Sequence, residues 1–387
     1  MNVMSNLDWQ RNRRPTVACF SHLRWDFVFQ RPQHILTRAA IDGEVLYFEE
    51  PVFESVAKPT IRLERPQVSL RVVTPVLPEG TSEEGTLAFQ REVVDTLLSA
   101  IPSERLTCWY YTPMALRFTR HLVADVCVYD CMDELSAFKN APTELRQLEK
   151  ELFKRANLVF TGGQSLYEAK RAFHSNIHPF PSSIDAAHFR KARTALPDPE
   201  DQRAIPHPRV GFFGVIDERM DLSIVARTAA AMPDVHFVML GPVVKIDPAS
   251  LPAAPNLHWL GRKSYDELPA YLANWQAGWM PFALNESTRY ISPTKTPEFL
   301  SAGLPVVSTA IVDVVRTYGA EGLVEIFDED DSAAVLRGVL DRPREHLRGA
   351  VDAYMEGMSW DGTWQAMQSL IVRSVALKGV TLLQKGA

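Results

Sequence analysis

The segment RYISPTKTPEFLSAGLPVVST, residues 289–309, places a lysine and a glutamate where both could bind a nucleotide. Ser292 or Thr294 is a candidate N-cap, so Lys295 falls in the first turn of a predicted helix and Glu298 follows one turn later on the same face. A helix terminus and a lysine together favour a bound phosphate, and the carboxylate can accept hydrogen bonds from two sugar hydroxyls. Phosphate beside ribose indicates a nucleotide, although an ordinary surface pair of charges fits the spacing equally well.

Alternating short apolar segments and amphipathic segments must position these residues, and this alternation is typical of parallel α/β sheets. The first six strand segments are TVACFS, EVLYFEE, LRVVTP, LTCWYY, DVCVYD and NLVFTG. Six more follow a proline-rich stretch and read RVGFFGVI, VHFVMLG, NLHWLG, AGWMPF, LPVVST and LVEIF. We predict an α/β fold with two doubly wound Rossmann-like domains, at residues 1–185 and 208–358, a linker at 186–207 and a helical tail at 359–387 that packs across the domain junction. Ligands bind at the carboxyl ends of parallel strands, so the two sheets are expected to face each other across a cleft.

Composition excludes several other classes of function. The 387 residues suit two domains, and the net charge of −6 gives no reason to expect a nucleic acid partner. The sequence shows no apolar run long enough to span a bilayer and no signal peptide, so we predict a cytoplasmic protein whose peripheral contact with the inner membrane stays open. The four cysteines are predicted to be reduced and buried, with no metal site: Cys19, Cys108, Cys127 and Cys131.

The 292–309 segment resembles the donor-nucleotide segment of GT-B glycosyltransferases, particularly the family-4-type enzymes of bacterial polysaccharide synthesis. The likeness covers most of the chain, in order, through CFSHLRWDFVFQRPQHILTRA, VYDCMDELSAF, GFFGVIDERMDL and LGRKSYDELPAYLANWQAGWMPF. It implies a metal-independent hexosyltransferase that needs no cofactor. Such an enzyme takes a sugar from a nucleotide diphosphate sugar, here a UDP-linked one by first choice, bound by the C-terminal domain. The acceptor, a glycan or a lipid-linked sugar, is then held by the N-terminal domain.

The resemblance assigns donor-binding roles to three loops of the second domain. Glycine and arginine near the diphosphate correspond to Gly214 and Arg219, and the loop near the nucleobase corresponds to 261–263. Arg219 could instead be a helix-entry residue paired with Glu218 or Asp221. The predicted donor-binding residues are Gly214, Arg219, Gly261, Arg262, Lys263, Ser292, Thr294, Lys295 and Glu298.

Candidate acceptor-side residues follow two strands of the first domain. Asp130 and Asp133 end an apolar strand, and a carboxylate there can take a proton from an acceptor hydroxyl, a role that we assign to Asp133. Asp130 is expected to be structural or to contact the acceptor, and Asp133 could alternatively cap the next helix. His22 could serve as the base or bind the acceptor, with Arg24 and Trp25 beside it to bind sugar.

One position departs from the family pattern. The first of the two glutamates usual in the family is replaced by Tyr290, so retention of anomeric configuration is in doubt and both reaction courses stay open. Asn285 and Glu286, upstream in the same loop, could substitute for it. A nucleotide-sugar epimerase and a non-catalytic nucleotide-sugar-binding protein are the rival interpretations.

Overall fold

A computed structural model describes residues 14–385, apart from 329, 343 and 344. The strands form two separate sheets. The first sheet contains β1 (Thr16–Phe20), β2 (Glu44–Phe48), β3 (Val52–Glu54), β4 (Thr60–Gln67), β5 (Leu70–Pro78), β6 (Leu106–Tyr110), β7 (Val126–Cys131), β8 (Leu158–Thr161) and β9 (Ile177–Pro179). The second contains β10 (Arg209–Phe213), β11 (His236–Leu240), β12 (Leu257–Gly261), β13 (Ala277–Met280), β14 (Val306–Thr309) and β15 (Val324–Phe327).

Both sheets have the doubly wound strand order that the alternation predicts. The first runs β3-β5-β2-β1-β6-β7-β8-β9, with β4 antiparallel to β5 at one edge and the other pairs parallel. The second is parallel throughout, in the order β12-β11-β10-β13-β14-β15. Each order reverses beside the first strand of its domain, β1 or β10, which opens a crevice at the carboxyl ends of the strands. The predicted fold class is confirmed.

Helices cover both faces of the sheets. They are α1 (Arg31–Asp42), α2 (Glu83–Leu98), α3 (Leu116–Thr119), α4 (Leu145–Arg155), α5 (Gln164–Lys170), α6 (Ala186–Arg190), α7 (Leu222–Ala231), α8 (Leu268–Ala273), α9 (Lys295–Ser301), α10 (Val312–Val314), α11 (Ser332–Leu340), α12 (Glu345–Tyr354) and α13 (Trp360–Lys385). The last of these returns to the first domain, where Trp364 donates to Asp42 at 2.8 Å. Among the described helices, none combines the length and the apolar character that crossing a membrane requires.

The edge of the first sheet differs from the sequence prediction. Strands β3, β4 and β9 and helix α2 were not assigned from the sequence. The strand β4 reads TIRLERPQ and is almost fully exposed, and its apolar alternation is limited to Ile61 and Leu63. A proline is tolerated there because the strand lies at an edge.

Contacts between the domains are polar as well as apolar. The Asp313 carboxylate of the second domain accepts a hydrogen bond from the backbone N–H of Ser165, at the start of α5, at 3.0 Å. Three residues further along each chain segment, Arg316 pairs with Glu168 at 2.9 Å. The glycine-containing TGGQS turn that precedes α5 therefore receives a carboxylate from the other domain.

A buried ion pair joins α1 to the carboxyl end of β7. The Arg31 guanidinium donates to both oxygens of Asp130 at 2.8–3.1 Å, and it donates to the carbonyl of Phe180 at 2.7 Å. The side chains of Arg31 and Asp130 are 4% and 0% exposed, so water cannot solvate either charge. Removing one partner leaves an uncompensated buried charge, which costs about 3–5 kcal/mol.

We therefore expect Asp130→Asn to lower the free energy of unfolding by about 3–5 kcal/mol, measured by urea denaturation. Arg62→Ala is the matched control, because its pair with Glu54 is exposed on both sides and contributes about 0–1 kcal/mol. Similar losses for the two variants would contradict this account of the buried pair.

Candidate functional site

A cavity of about 240 Å³ lies near the strand ends, and both domains line it. The first domain contributes residues 25–30, the loop between β1 and α1. The second domain contributes the turns after β10, β11 and β12 and the start of α9, including Gly214, Arg219, Gly241, Arg262, Lys263, Tyr265, Thr294, Lys295 and Glu298. Most of the predicted donor-binding residues thus meet in one place.

Lys295 and Glu298 share the face of α9 that points into this cavity, as the spacing predicts. The Lys295 side chain lies directly against Gly214, where a Cβ atom would come within 2.0 Å of its Cε. Gly214 also has φ of +134°, a conformation that side chains disfavour. A glycine is therefore required for the lysine to reach the cavity. Thr294 is the N-cap residue of α9, as one of the two predicted alternatives has it, but its side chain makes no capping hydrogen bond.

Burial shifts the pKa values of these two groups in opposite directions. Burial raises the pKa of Glu298 to about 7, even though the charge of Lys295 acts to lower it. Burial likewise lowers the pKa of Lys295 from its ordinary value. The hydroxyl of Tyr265 is buried nearby without a hydrogen-bond partner in the described chain. Both charges are thus incompletely compensated by the protein's own groups.

Arg219 is held by Asp217 rather than by Glu218 or Asp221. Its Nε and Nη2 atoms donate to the Asp217 carboxylate at 2.7–3.1 Å, and Asp217 is 3% exposed. Within the described residues its Nη1 atom has no hydrogen-bond partner. The guanidinium is therefore fixed in orientation and keeps a donor for an anion in the cleft.

Asp133 lines a narrower continuation of the cleft, of about 90 Å³, together with Arg31, Arg219 and Lys295. The short 3₁₀ helix that follows, Leu135–Ala137, has no side-chain cap hydrogen bond, so Asp133 does not cap it. Burial raises the pKa of Asp133, although Arg219 and Arg31 act to lower it. A carboxylate with a raised pKa facing a cleft is suited to accepting a proton.

His22 lies near Tyr111 of the first domain and Lys245 of the second, with its Nδ1 atom buried and unpartnered among the described residues. Burial, followed by the charge of Lys245, lowers its pKa to about 4, while the Tyr111 backbone acts to raise it. The ring is therefore neutral near pH 7 and can accept a hydrogen bond. A base with so low a pKa is a weak one.

Several predicted residues have other partners. The acceptor-side Arg24 donates to Glu49 at 3.1 Å and to Pro51 O at 2.9 Å, and Asp130 is enclosed with Arg31, so neither side chain lines the cavities. Trp25, predicted to meet the acceptor, lines the donor-side cavity.

On the donor side, Lys263 pairs with Asp201, and Ser292 contacts Ser182 of the first domain. Gly261 is outside the lining of the larger cavity, although its carbonyl accepts from Gly241 at 2.8 Å.

The residues proposed to replace the missing family glutamate lie elsewhere. Tyr290 packs against the core of the first domain. Asn285 caps the turn that follows it by accepting from Ser287 and Thr288, and Glu286 is exposed beside Arg289. Neither Asn285 nor Glu286 is among the residues that line the cleft cavities.

Sequence reasoning missed two cross-domain contacts in the site. Phe29 stacks on Tyr265 with ring centroids 4.5 Å apart, and both rings line the cavity of about 240 Å³. Lys245 has φ of +61°, unusual for a residue other than glycine, and its amine lies 4.8 Å from the Phe138 ring of the first domain. A lysine following GPVV at a strand end was a visible signal, but its reach across the cleft depends on tertiary structure.

Comparison with solved structures identifies the fold. A UDP-forming α,α-trehalose-phosphate synthase from Burkholderia xenovorans superposes with a TM-score of 0.66 at 11% identity, over 94% of this chain and 99% of that chain. An E. coli trehalose-6-phosphate protein bound with UDP-2-fluoro glucose gives 0.67 at 10% identity, over 92% and 98%. The sucrose-phosphate synthase of Thermosynechococcus elongatus gives 0.64 at 14% identity, over 96% and 99%. The chain has the GT-B fold.

Sequence comparison adds one relative. The protein TuaH of Bacillus subtilis (strain 168), named as a candidate teichuronic acid biosynthesis glycosyltransferase, is 26% identical over 245 residues. The match covers 58% of this chain and 62% of the length of that protein. No family model matches the chain. The predicted resemblance to GT-B glycosyltransferases is confirmed.

The shifted pKa of Glu298 predicts a pH-dependent stability. Its folded-state pKa, about 7, exceeds the ordinary value of 4.5, so the folded protein binds the extra proton and the free energy of unfolding falls as pH rises from about 4.5 to about 7. Relative to Glu298→Gln, which cannot ionise, we expect the wild type to lose up to about 3 kcal/mol across that window. Urea denaturation at pH 5 and pH 8 measures the difference, and parallel curves for the two proteins would show that Glu298 is already ionised when folded.

Proposed function

We propose that the protein is a glycosyltransferase that moves a hexosyl group from a nucleotide diphosphate sugar to a glycan or lipid-linked acceptor in polysaccharide synthesis. The observation that carries this proposal is the placement of Lys295 and Glu298 on the wall of an interdomain cavity, with incompletely compensated charges. The similarity to a protein named as a candidate glycosyltransferase supports the same activity.

The second domain would bind the donor. The amine of Lys295 and the remaining Nη1 donor of Arg219 would hold the diphosphate, and Glu298 would accept hydrogen bonds from the ribose hydroxyls. The stacked Phe29 and Tyr265 would lie beside the nucleobase, because they line the cavity close to the loop at 261–263. We propose UDP as the first nucleotide because the solved neighbours include UDP-forming synthases.

Transfer would use the charges of the cleft. Negative charge develops on the leaving diphosphate, and fixed cations in a site closed to water stabilise it. We propose that Lys295 and Arg219 supply this stabilisation and that the reaction is metal-independent. We further propose that the protein works in the cytoplasm, where a peripheral contact would bring it to membrane-borne acceptors.

Asp133 is the proposed base toward the acceptor hydroxyl. Its raised pKa makes it a stronger base than an ordinary aspartate, whereas the lowered pKa of His22 makes the ring a weak base that can still orient the hydroxyl. The residues at 285, 286 and 290 do not line the cleft cavities, so no described carboxylate of these three positions is placed to act as a donor-side nucleophile. This arrangement favours direct displacement with inversion.

Nucleotide binding is the first test of the proposal. We expect calorimetry to detect selective binding of one nucleotide among UDP, GDP, TDP and ADP. Lys295→Ala and Glu298→Ala are each expected to weaken that binding roughly 10-fold to 100-fold, the loss of one charged hydrogen-bonding group. Arg62→Ala, on an exposed pair in the other domain, is the control and should bind as the wild type does.

Binding that ignores both substitutions would place the nucleotide elsewhere. Tight nucleotide binding with interconversion of the donor sugar, and without transfer to any acceptor, would instead indicate an epimerase. Binding with no chemistry at all would indicate a nucleotide-sugar-binding protein.

Asp133 can be tested once a donor and an acceptor are known. Asp133→Asn should lower the rate of transfer about 10²-fold to 10⁴-fold, because the amide cannot take the proton, while the dissociation constant of the donor stays unchanged. His22→Ala should have a smaller effect on the rate. Glu104→Gln, on the exposed surface, is the matched control, and a normal rate for Asp133→Asn would remove Asp133 from the reaction.

A further inference from the structure

The first domain contains a second cavity, of about 250 Å³, that the proposed chemistry does not use. It lies at the carboxyl ends of β1, β2 and β6 and is covered by the first turns of α2. Its apolar lining, which we call the phenylalanine pocket, consists of Phe20, Phe48, Phe53, Leu87, Met114 and Phe118. The Phe20 and Phe48 rings stack with centroids 5.2 Å apart, and Phe118 meets Phe20 edge-on at 6.1 Å.

Most polar side chains around the phenylalanine pocket already have protein partners. Ser21 accepts from Tyr47, Thr112 accepts from Met114, and Thr86 donates to Ser82. Arg117 pairs with Glu83 and Glu144, and Glu49 accepts from Arg24, Trp25 and Thr74.

Gln90 is the exception. Its side chain lines the pocket and is only 8% exposed, yet among the described residues it has no hydrogen-bond partner. Its amide atoms are not fully enclosed by the protein, so they face the space of the pocket and are available to a polar group of a ligand.

These properties select the chemistry of a ligand. A sugar ring needs a partner for each of its hydroxyls, and the pocket offers one unengaged inner amide, so a sugar would be left largely unsatisfied. An apolar chain has no such need. The volume also suits one, because an engineered apolar cavity of about 150 Å³ is enough to bind benzene.

The position of the phenylalanine pocket connects it to the proposed reaction. Ser21 lines the pocket and Trp25 lines the donor-side cavity, so a single loop separates the two. Phe53 and Glu50 are the exposed members of the lining and mark its mouth. A molecule with an apolar end inside and a polar head at the mouth would therefore lie on the acceptor side of the cleft.

We propose that the phenylalanine pocket binds the apolar chain of an amphipathic acceptor, so that the enzyme acts on lipid-linked rather than free sugars. The inference rests on the proposed glycosyltransferase function, because that function makes the bound molecule an acceptor. The pocket itself can be tested without that function.

The test compares glycosides that share a sugar and differ in the attached group, by calorimetry below their micelle concentrations and without a nucleotide. Each buried methylene strengthens binding about fourfold. We therefore expect a hexyl glycoside to bind the intact protein at least tenfold more tightly than its methyl counterpart. Binding of geranyl phosphate would extend the result to isoprenoid carriers. Tighter binding of the phenyl glycoside than of the hexyl glycoside would overturn the proposal of an apolar chain and indicate an aryl group instead.

Two substitutions place the binding in the pocket. Leu87→Glu introduces a carboxylate among the phenylalanine rings and should abolish the preference for hexyl over methyl. Gln90→Leu should retain the hexyl preference and weaken a 6-hydroxyhexyl glycoside at least threefold, so it keeps the test decisive if Leu87→Glu does not fold. Val68→Glu, at a position 90% exposed in the same domain, is the control and should match the wild type.

Equal affinity for hexyl and methyl glycosides, or a chain preference that survives Leu87→Glu in a folded protein, would overturn the proposal. Preferential binding of the hexyl glycoside by a protein that shows neither nucleotide binding nor transfer would support the apolar-chain site and contradict the proposed glycosyltransferase function. Once transfer is measured, the same preference is expected in KM, with kcat changed little.

Discussion

The buried ion pair between Arg31 and Asp130 fixes the geometry on which the rest of the site depends. Arg31 ends the loop that lines the donor-side cavity, and Asp130 stands three residues before Asp133. A single bidentate contact therefore sets both walls that the first domain presents to the second. Apolar packing would tolerate small slips, whereas a buried charged pair requires its partners in register. The choice of an ion pair at this point thus favours a cleft of one defined shape.

The second domain contributes charged side chains that are held in place but not fully compensated. Arg219 is oriented by Asp217 and keeps one donor, and Lys295 and Glu298 have pKa values shifted by burial in opposite directions. Such an arrangement is costly for a protein alone and is common at functional sites. An anion next to a pair of hydroxyls would relieve both shifts together, because it favours the charged lysine and gives the carboxylate hydrogen bonds. The electrostatics of the site thus point to the same ligand as the residue types do.

The sequence was sufficient for features that depend on local pattern. Twelve predicted strands are present because their apolar residues are contiguous in the chain, and Lys295 and Glu298 share a face because helical spacing requires it. Partners distant in the chain could not be read in the same way. Arg31 pairs with a residue 99 positions away, and Lys245 reaches across the cleft only because the domains are closed on each other. The alternative considered for Arg219 was a pair with its neighbour Glu218 or Asp221, whereas the turn brings Asp217 to it.

The loop at 21–25 constrains how donor and acceptor can meet. Glu49 accepts hydrogen bonds from both the Arg24 side chain and the Trp25 backbone, so the loop is tied to the end of β2 at two points. A wall fixed in this way keeps the donor-side cavity apart from the phenylalanine pocket, and a chain bound in the pocket cannot slide toward the nucleotide. Asp133, the proposed base, lines the narrower cavity that continues from the donor side. A fixed wall therefore selects which end of an amphipathic acceptor reaches the sugar, and it does so before any base acts.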